Sequence, residues 1–478
     1  MKKFCKRMVA VGIFGMLLIG MLWRTNNILR VKGFSAGYSM ETFYRQTSGT
    51  VDVLNLGNSH MFTNVNPAIL WDEYGITAFN LGAGLQPLWN TYFYMDEALK
   101  YQTPKVIVVD LFGAVQTADY LTPDRTAMNT LGLAYSETSK ENIAVSVGNE
   151  NDYMDYILKY PIYHNRYQDL EEGDFRKDEG DINYANYKGY ALNCISTTSR
   201  KMLTDVSGVS ERKPLTQKNE KYLKKIIEKA KSVEIPILLT VNPYADITYE
   251  DKKIYNEVEK IALKYNVDFI DFNEFYEKIG LDPMRDFAEG HHLNYYGAEK
   301  FSSYLGEYLV KHYNLSSHKG ESGYETWQAN SEFYTKQAEN IDLIKTTDEA
   351  EYLRKIFENQ KRYTICLSYD GNYYQEGRTY LDILAEQGLN VWNEHIWVIK
   401  NGEIVYHTDK RTGVPEFKLD LGKCSVAIVN RKLSLGTNRA EVVTDGLNVL
   451  VYDNELQVVV DVCGMDASQE GVIRARQL

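Results

Sequence analysis

Five short apolar runs, each closed by a turn and separated by stretches of helical spacing, constrain the fold of this chain more than any other feature. They are Val51–Leu56, Ile76–Leu81, Val106–Leu111, Ile235–Val241 and Val267–Phe272. The third reads Val-Ile-Val-Val-Asp-Leu, as a strand buried on both faces of a parallel sheet does. Trp89–Tyr101, Asn219–Ser232 and Tyr249–Tyr265 carry helical patterns, the last with Ile254, Val258, Ile261 and Tyr265 on one face. Strands alternating with helices predict a doubly wound α/β sheet. Residues 117–213 break the alternation with a long polar and aromatic stretch, which reads as an insertion or lid.

At 478 residues the chain exceeds what one hydrophobic core serves, so a second domain is expected. Residues 314–345 read as a linker, Ser- and Gly-rich over Asn314–Gly323. Residues 346–478 are strand-rich, with Tyr363–Ser368, Ile396–Ile399, Ser425–Val429, Leu447–Tyr452 and Gln457–Val462 as strands and Thr379–Gln387 as a helix. This predicts a smaller α+β domain.

At the other end, Lys2, Lys3, Lys6 and Arg7 precede an uncharged run from Met8 to Trp23, closed by Arg24. Such a run spans roughly 24 Å as helix, against a hydrocarbon core of about 30 Å. Snorkelling Arg7 and Arg24, with Trp23 at the interface, make up the difference. The run lacks the small-residue site of a cleaved signal peptide. Residues 1–33 are therefore expected to be a cytoplasmic tip and membrane anchor and 34–50 a linker. The positive charge before the run places the N-terminus inside and the rest of this single-pass chain outside the cell membrane.

The formal net charge of -12 gives no general electrostatic reason to bind nucleic acid. The five cysteines form no C-x-x-C pair, no His/Cys cluster has zinc spacing, and no cofactor or metal is implied. Cys366, Cys424 and Cys463 lie in apolar, strand-like runs as small hydrophobes, with a disulfide between two of them left open.

Chemistry concentrates at two places. The first strand ends in Leu56-Gly57-Asn58-Ser59-His60, and a serine there sits where parallel sheets bind ligands. Its hydroxyl needs a base, and the N–H groups opening the next helix suit a developing oxyanion. Far downstream, Glu289-Gly290-His291-His292-Leu293-Asn294 precedes an amphipathic helix with Phe301, Leu305 and Leu309 on one face. An acid three residues before a histidine can turn back to hold the imidazole tautomer.

At these motifs the chain, from about Val51 to Tyr313, resembles the SGNH/GDSL serine hydrolases, whose sheet is flavodoxin-like. The resemblance implies that residues 51–313 form the hydrolase domain, with Ser59 as nucleophile and His292 as general base. Glu289 stands where the family has Asp, with Asp286 as a rival acid, and Asn58 also stands where Asp is usual. His291 is a rival base, and His60 is expected to be structural or substrate-facing. The oxyanion hole is expected from Ser59, Gly82 (in Asn80-Leu81-Gly82-Ala83-Gly84) and Asn242 (in Thr-Val-Asn-Pro-Tyr). No Gly-x-Asn-Asp block is present. This pattern is similar to the cell-envelope branch of the family, including the D-alanyl-lipoteichoic acid and alginate O-acetylation proteins.

The implied function is an esterase or O-acyltransferase acting on a cell-envelope glycan or teichoic acid, with a multi-pass membrane O-acyltransferase as a partner. Within Pro161–Tyr167, also similar to envelope members, His164 and Arg166 are candidate substrate-binding residues. Residues from about Thr346 to Asp466 resemble the interleukin-like EMT inducer domain, which implies glycan binding with Trp397 as a stacking platform. The competing expectation is a non-catalytic glycan-binding or assembly factor on a degenerate hydrolase fold.

Overall fold

A computed structural model describes residues 2–30, 38–170, 172–175, 188–195, 203–370, 379–392, 395–408, 416–422, 424–429, 432–436 and 438–474. Residues 176–187 and 196–202 of the expected insertion, and 31–37 after the anchor, lie outside them. The chain divides into two compact units, Met1–Glu332 and Phe333–Leu478.

In the first unit, β1 (Val53–Gly57), β2 (Ala78–Gly82), β3 (Val106–Asp110), β4 (Ile237–Val241) and β5 (Asp268–Asp271) form one parallel sheet in the order β2-β1-β3-β4-β5. This is the flavodoxin-like order, whose topological switch lies between β1 and β3. Alternate residues serve opposite layers. Val53, Val106, Val108 and Leu238 pack with Phe301, Leu305 and Leu309, whereas Leu54, Leu56, Ile107, Val109, Leu239 and Val241 pack with Phe93, Leu223, Ile227 and Val258. Burial on both faces is why these strands read as continuous apolar runs. The Tyr249–Tyr265 helix starts at a Thr248 capping box and stops where Asn266 turns left-handed (φ 50°).

One N-terminal helix, Lys2–Leu29, is long and apolar enough to cross a membrane, and none of its apolar span is buried in protein. The expected insertion is largely helical where described, with helices Pro123–Thr130, Glu137–Ser146, Tyr153–Leu158 and Tyr160–Tyr163.

In the second unit, β6 (Tyr363–Asp370), β7 (Ile396–Lys400) and β8 (Glu403–His407) join β13 (Gly446–Asp453), β14 (Val458–Asp466) and β15 (Val472–Arg474) in an antiparallel sheet, order β15-β14-β13-β6-β7-β8. A second antiparallel sheet runs β12-β11-β10-β9, from β9 (Phe417–Asp420), β10 (Ser425–Val429), β11 (Lys432–Leu435) and β12 (Asn438–Arg439). It covers one face of the larger sheet through Val426, Ile428 and Leu433 against Cys366, Val398 and Leu450. Helices Glu349–Glu358 and Thr379–Glu386 cover the other through Tyr352, Leu353, Ile356 and Leu384.

Glu325–Lys345, expected as linker, is a helix instead. Trp327, Ser331, Tyr334 and Ile341 are buried at helical spacing, so only the Ser- and Gly-rich part of 314–345 had linker chemistry. The five cysteines are free thiols, and burial pushes the Cys366 thiol up to about 12.

Candidate active site

The C-terminal edge of the parallel sheet gathers the polar residues. Beyond Gly57, Asn58 is extended, and its side chain accepts the His60 N–H at 3.0 Å while its carbonyl accepts the Met61 N–H at 3.0 Å. This cap turns β1 directly into the Ser59–Asn64 helix, with Ser59 at its first position. Thr63 Oγ1 donates to the Ser59 carbonyl at 2.8 Å. Asn64 then fastens the helix to two distant segments: its Oδ1 accepts the Leu293 N–H at 3.2 Å and its Nδ2 donates to the Pro243 carbonyl at 3.0 Å.

Leu293 follows His292, so this bond sets the histidine loop beside the serine turn. The loop is closed by a bridge between Phe287 and Leu293 and by the Ala288 N–H bonding the His292 carbonyl at 3.1 Å. That closure brings the Glu289 carboxylate onto His292 Nδ1. Nε2 of His292 is buried without a hydrogen-bond partner among the described residues. Asp286, the rival acid, is fully buried but faces elsewhere: its Oδ2 pairs with Lys300 at 2.6 Å and accepts the Asp282 N–H at 2.7 Å. The structure therefore brings Glu289, and not Asp286, to His292.

His60 fills the floor between these parts. Its ring stacks on Phe112 at 3.7 Å and meets Tyr244 and His292 edge-on at 5.0 and 5.4 Å, with His291 at 6.4 Å. Burial, together with the neighbouring His292 and His291, holds its pKa well below the usual histidine range, so the ring is neutral. Neither ring nitrogen has a partner among the described residues. Since His292 Nε2 has no partner among them either, Ser59 Oγ is not hydrogen-bonded to it.

The expected oxyanion donors fare differently. The Ser59 N–H is left over by the helix, as the first N–H of any helix is. Gly82 ends β2 opposite Gly57, where a Cβ would fall 1.9 Å from the Gly57 carbonyl oxygen, so strand proximity alone demands glycine. Asn242 does not offer its amide to a ligand. Its Nδ2 donates to the His60 carbonyl at 3.2 Å, and its N–H donates to Asp110 Oδ1 at 2.9 Å, so it supports the serine turn from below.

Three substrate-binding expectations meet the coordinates with mixed results. His164 is exposed, with Nδ1 2.6 Å from the Pro161 carbonyl. Arg166 is not available to a substrate: it forms a bidentate pair with Asp174, both bonds 2.9 Å, and donates to the carbonyls of Leu29 and Arg30. A guanidinium surrounded by a carboxylate and two helix-end carbonyls has its donors committed. Trp397 is fully buried, packed on the helical side of the larger sheet, so it presents no face for stacking. The tryptophan of that unit which faces solvent is Trp392.

Two contributors escaped the sequence reading. Asp110, at the end of β3, is buried without a cation partner among the described residues; burial raises its pKa to about 7 despite the N–H groups of Asn242 and Phe112. A strap at residues 188–193 crosses the site. The Lys188 carbonyl accepts the Asn80 N–H at 3.0 Å, the Ala191 N–H reaches the Phe62 carbonyl at 2.7 Å, and the Asn193 carbonyl accepts the Tyr295 N–H at 2.9 Å. Gly189 makes the crossing possible: its φ is +80°, and a Cβ would stand 1.9 Å from the Asn80 carbonyl oxygen. The signal was the Lys-Gly-Tyr turn inside the insertion, which only its distant partners distinguish from any other loop glycine.

Fold and site together define an α/β protein with a polar, histidine-lined cluster at the switch point of its sheet, the place where such sheets hold small ligands. A model of an uncharacterised family matches residues 150–314. Among solved structures, the chain has a distant likeness to a G-D-S-L family protein from Desulfitobacterium hafniense, to which a lipolytic role is ascribed by inference. The identity is 13% and the TM-score 0.27, over 55% of this chain and 99% of that one. No curated protein matches.

Proposed function

We propose that this chain is a membrane-anchored, extracellular serine esterase or O-acyltransferase acting on acyl esters of a cell-envelope polysaccharide or teichoic acid. The observation that carries the reading is the Glu289–His292 pair, whose second imidazole nitrogen is left open beside the Ser59 turn. In the proposed reaction His292 Nε2 takes the proton of Ser59 Oγ, which attacks the acyl carbonyl. The N–H groups of Ser59 and Gly82 receive the oxyanion. Collapse expels the sugar hydroxyl, protonated by His292, and leaves an acyl-enzyme. Water or a second sugar hydroxyl then takes the acyl group by the reverse proton path. Glu289 holds the tautomer and balances the imidazolium. A multi-pass membrane O-acyltransferase is the proposed partner, and the second unit is proposed to bind the polymer through groups other than Trp397.

The engagement of the Asn242 amide by His60 and the missing Ser59–His292 bond favour a second reading, a glycan-binding or assembly factor without turnover. A fluorophosphonate probe and an activated acetyl ester separate the two. Wild type should be labelled at Ser59 and hydrolyse the ester, and Ser59→Ala, His292→Ala and the double variant should each lose about 10⁵–10⁶-fold without additivity. Wild-type protein that is folded, unlabelled and no faster than Ser59→Ala leaves the second reading standing.

A further inference from the structure

The end of the Lys2–Leu29 helix is gripped by the insertion. Arg166 Nη1 donates to the Leu29 and Arg30 carbonyls at 3.3 and 2.9 Å, while Nη2 is held by both oxygens of buried Asp174 at 2.9 Å. Arg30 in turn pairs with Glu41 at 3.3 Å, and Lys159 lies close enough to feel the Arg30 charge. The chain neighbours of these gripping residues are apolar and uncovered: Leu158 is 60% exposed, Tyr160 40%, Tyr167 61% and Phe175 59%. The Tyr160–Tyr163, His164–Gln168 and Glu172–Phe175 turns lie against that helix, which keeps these side chains near its end.

We propose that residues 153–170 and 172–175 are seated on the bilayer surface, with Leu158, Tyr160, Tyr167 and Phe175 entering the headgroup layer. This rests on reading Lys2–Leu29 as a membrane anchor, and it identifies the lipid surface as the partner of this face. Leu29 lies six residues beyond Trp23, roughly 9 Å along the helix axis. With the roughly 24 Å run Met8–Trp23 centred in a hydrocarbon core of about 30 Å, Leu29 stands about 6 Å outside the core, within a headgroup layer of about 5–8 Å. Whatever grips that helix end is held at the same level. Aromatic and aliphatic side chains bind there by burying apolar area. Half-buried Asp155 and exposed Asp169 offer no attraction to anionic lipid, so the contact is apolar and a zwitterionic bilayer suffices. A substrate that reaches Ser59 is then one carried close to the membrane, on a lipid or at the base of a wall polymer.

The test uses the full chain in phosphatidylcholine nanodiscs, with Cys5, Cys194 and the partly exposed Cys424 replaced by Ser, and the buried Cys366 and Cys463 retained. Single cysteines at Phe14, Leu158, Tyr167, Phe175 and Leu263 carry an environment-sensitive dye; Leu263 is 71% exposed on the Tyr249–Tyr265 helix. Headgroup nitroxide lipid should quench positions 158, 167 and 175 about two-fold or more, insensitively to salt, and leave 263 unchanged. Acyl-chain nitroxide should quench position 14. Arg166→Ala should reduce quenching at 167 and 175 but not at 14. Quenching at 14 with 158, 167 and 175 behaving like 263 overturns the seating and keeps the anchor. An unquenched position 14 removes both.

Discussion

Two buried clusters, one in each unit, treat their polar groups in opposite ways. In the second, Asp453 is fully buried yet fully partnered. Its Oδ2 accepts Arg362 Nη2 at 2.7 Å and Asn340 Nδ2 at 2.9 Å, and its Oδ1 accepts the N–H groups of Glu455 and Leu456. Burial pushes its pKa up, but the Arg362 and Asn340 hydrogen bonds outweigh that and hold it below the usual range. Arg362 also donates to the Lys336 carbonyl at 2.8 Å and pairs with Glu339. At the sheet edge of the first unit, by contrast, both nitrogens of His60 and Nε2 of His292 are buried and unpartnered among the described residues, and Asp110 has no counter-ion among them. Unmet polar groups cost stability, so the sheet edge is one place where this fold gives stability up. The second unit shows that this chain can satisfy a buried charge completely.

If that contrast is right, the largest effect belongs to the acid that faces the open histidine. Glu289→Gln should lower ester turnover by about 10³–10⁴-fold with little change in melting temperature. Asp286→Asn should do the converse, sparing turnover and lowering the melting temperature because Lys300 loses its partner. Steady-state kinetics with melting curves decide it, and the reverse pattern would transfer the role to Asp286.

A smaller effect is expected in the second unit. Arg362→Met strands the Asp453 carboxylate in the core and should cost that unit about 3–5 kcal/mol. Denaturant unfolding measures the loss, and turnover at Ser59 should not change. A nearly neutral Arg362→Met would erase the contrast between the units.

The smallest effect concerns Asp110. Its raised pKa means that the fold favours the neutral acid, so the stability it contributes is complete below about pH 4 and is lost as the pH rises through about 7. Asp110→Asn has no proton to lose. Between pH 5 and pH 8 the stability gap between the two proteins should move in favour of the variant by about 2–3 kcal/mol. A pH-independent gap would mean that Asp110 is ionised and partnered, as Asp453 is.

What could be read from the sequence follows from the same physics. β1 to β4 were visible because both faces are buried, leaving unbroken apolar runs, and Tyr249–Tyr265 was bounded by its cap and its left-handed end. β8 was not visible, since its apolar run is only Ile404–Tyr406 and two of those residues are exposed rather than buried in a core. Ser59, His292 and Glu289 were legible because each lies in a short local motif. The directions in which Asn242 and Arg166 point were not, because their partners His60 and Arg30 are 182 and 136 positions away. Trp397 was read as a surface platform, but its neighbours Ile396, Val398 and Ile399 mark a strand covered on both faces.

The strap at residues 188–193 has a consequence in time. Synthesis proceeds from the N-terminus, so the Ser59 helix exists long before the segments that fasten it. Phe62 waits for Ala191, and Asn64 waits for Leu293, 229 positions later. Until the chain is nearly complete through its first unit, the serine turn has neither its late tether nor its histidine. Assembly order thus leaves the serine turn unfastened until the chain has been made through Leu293.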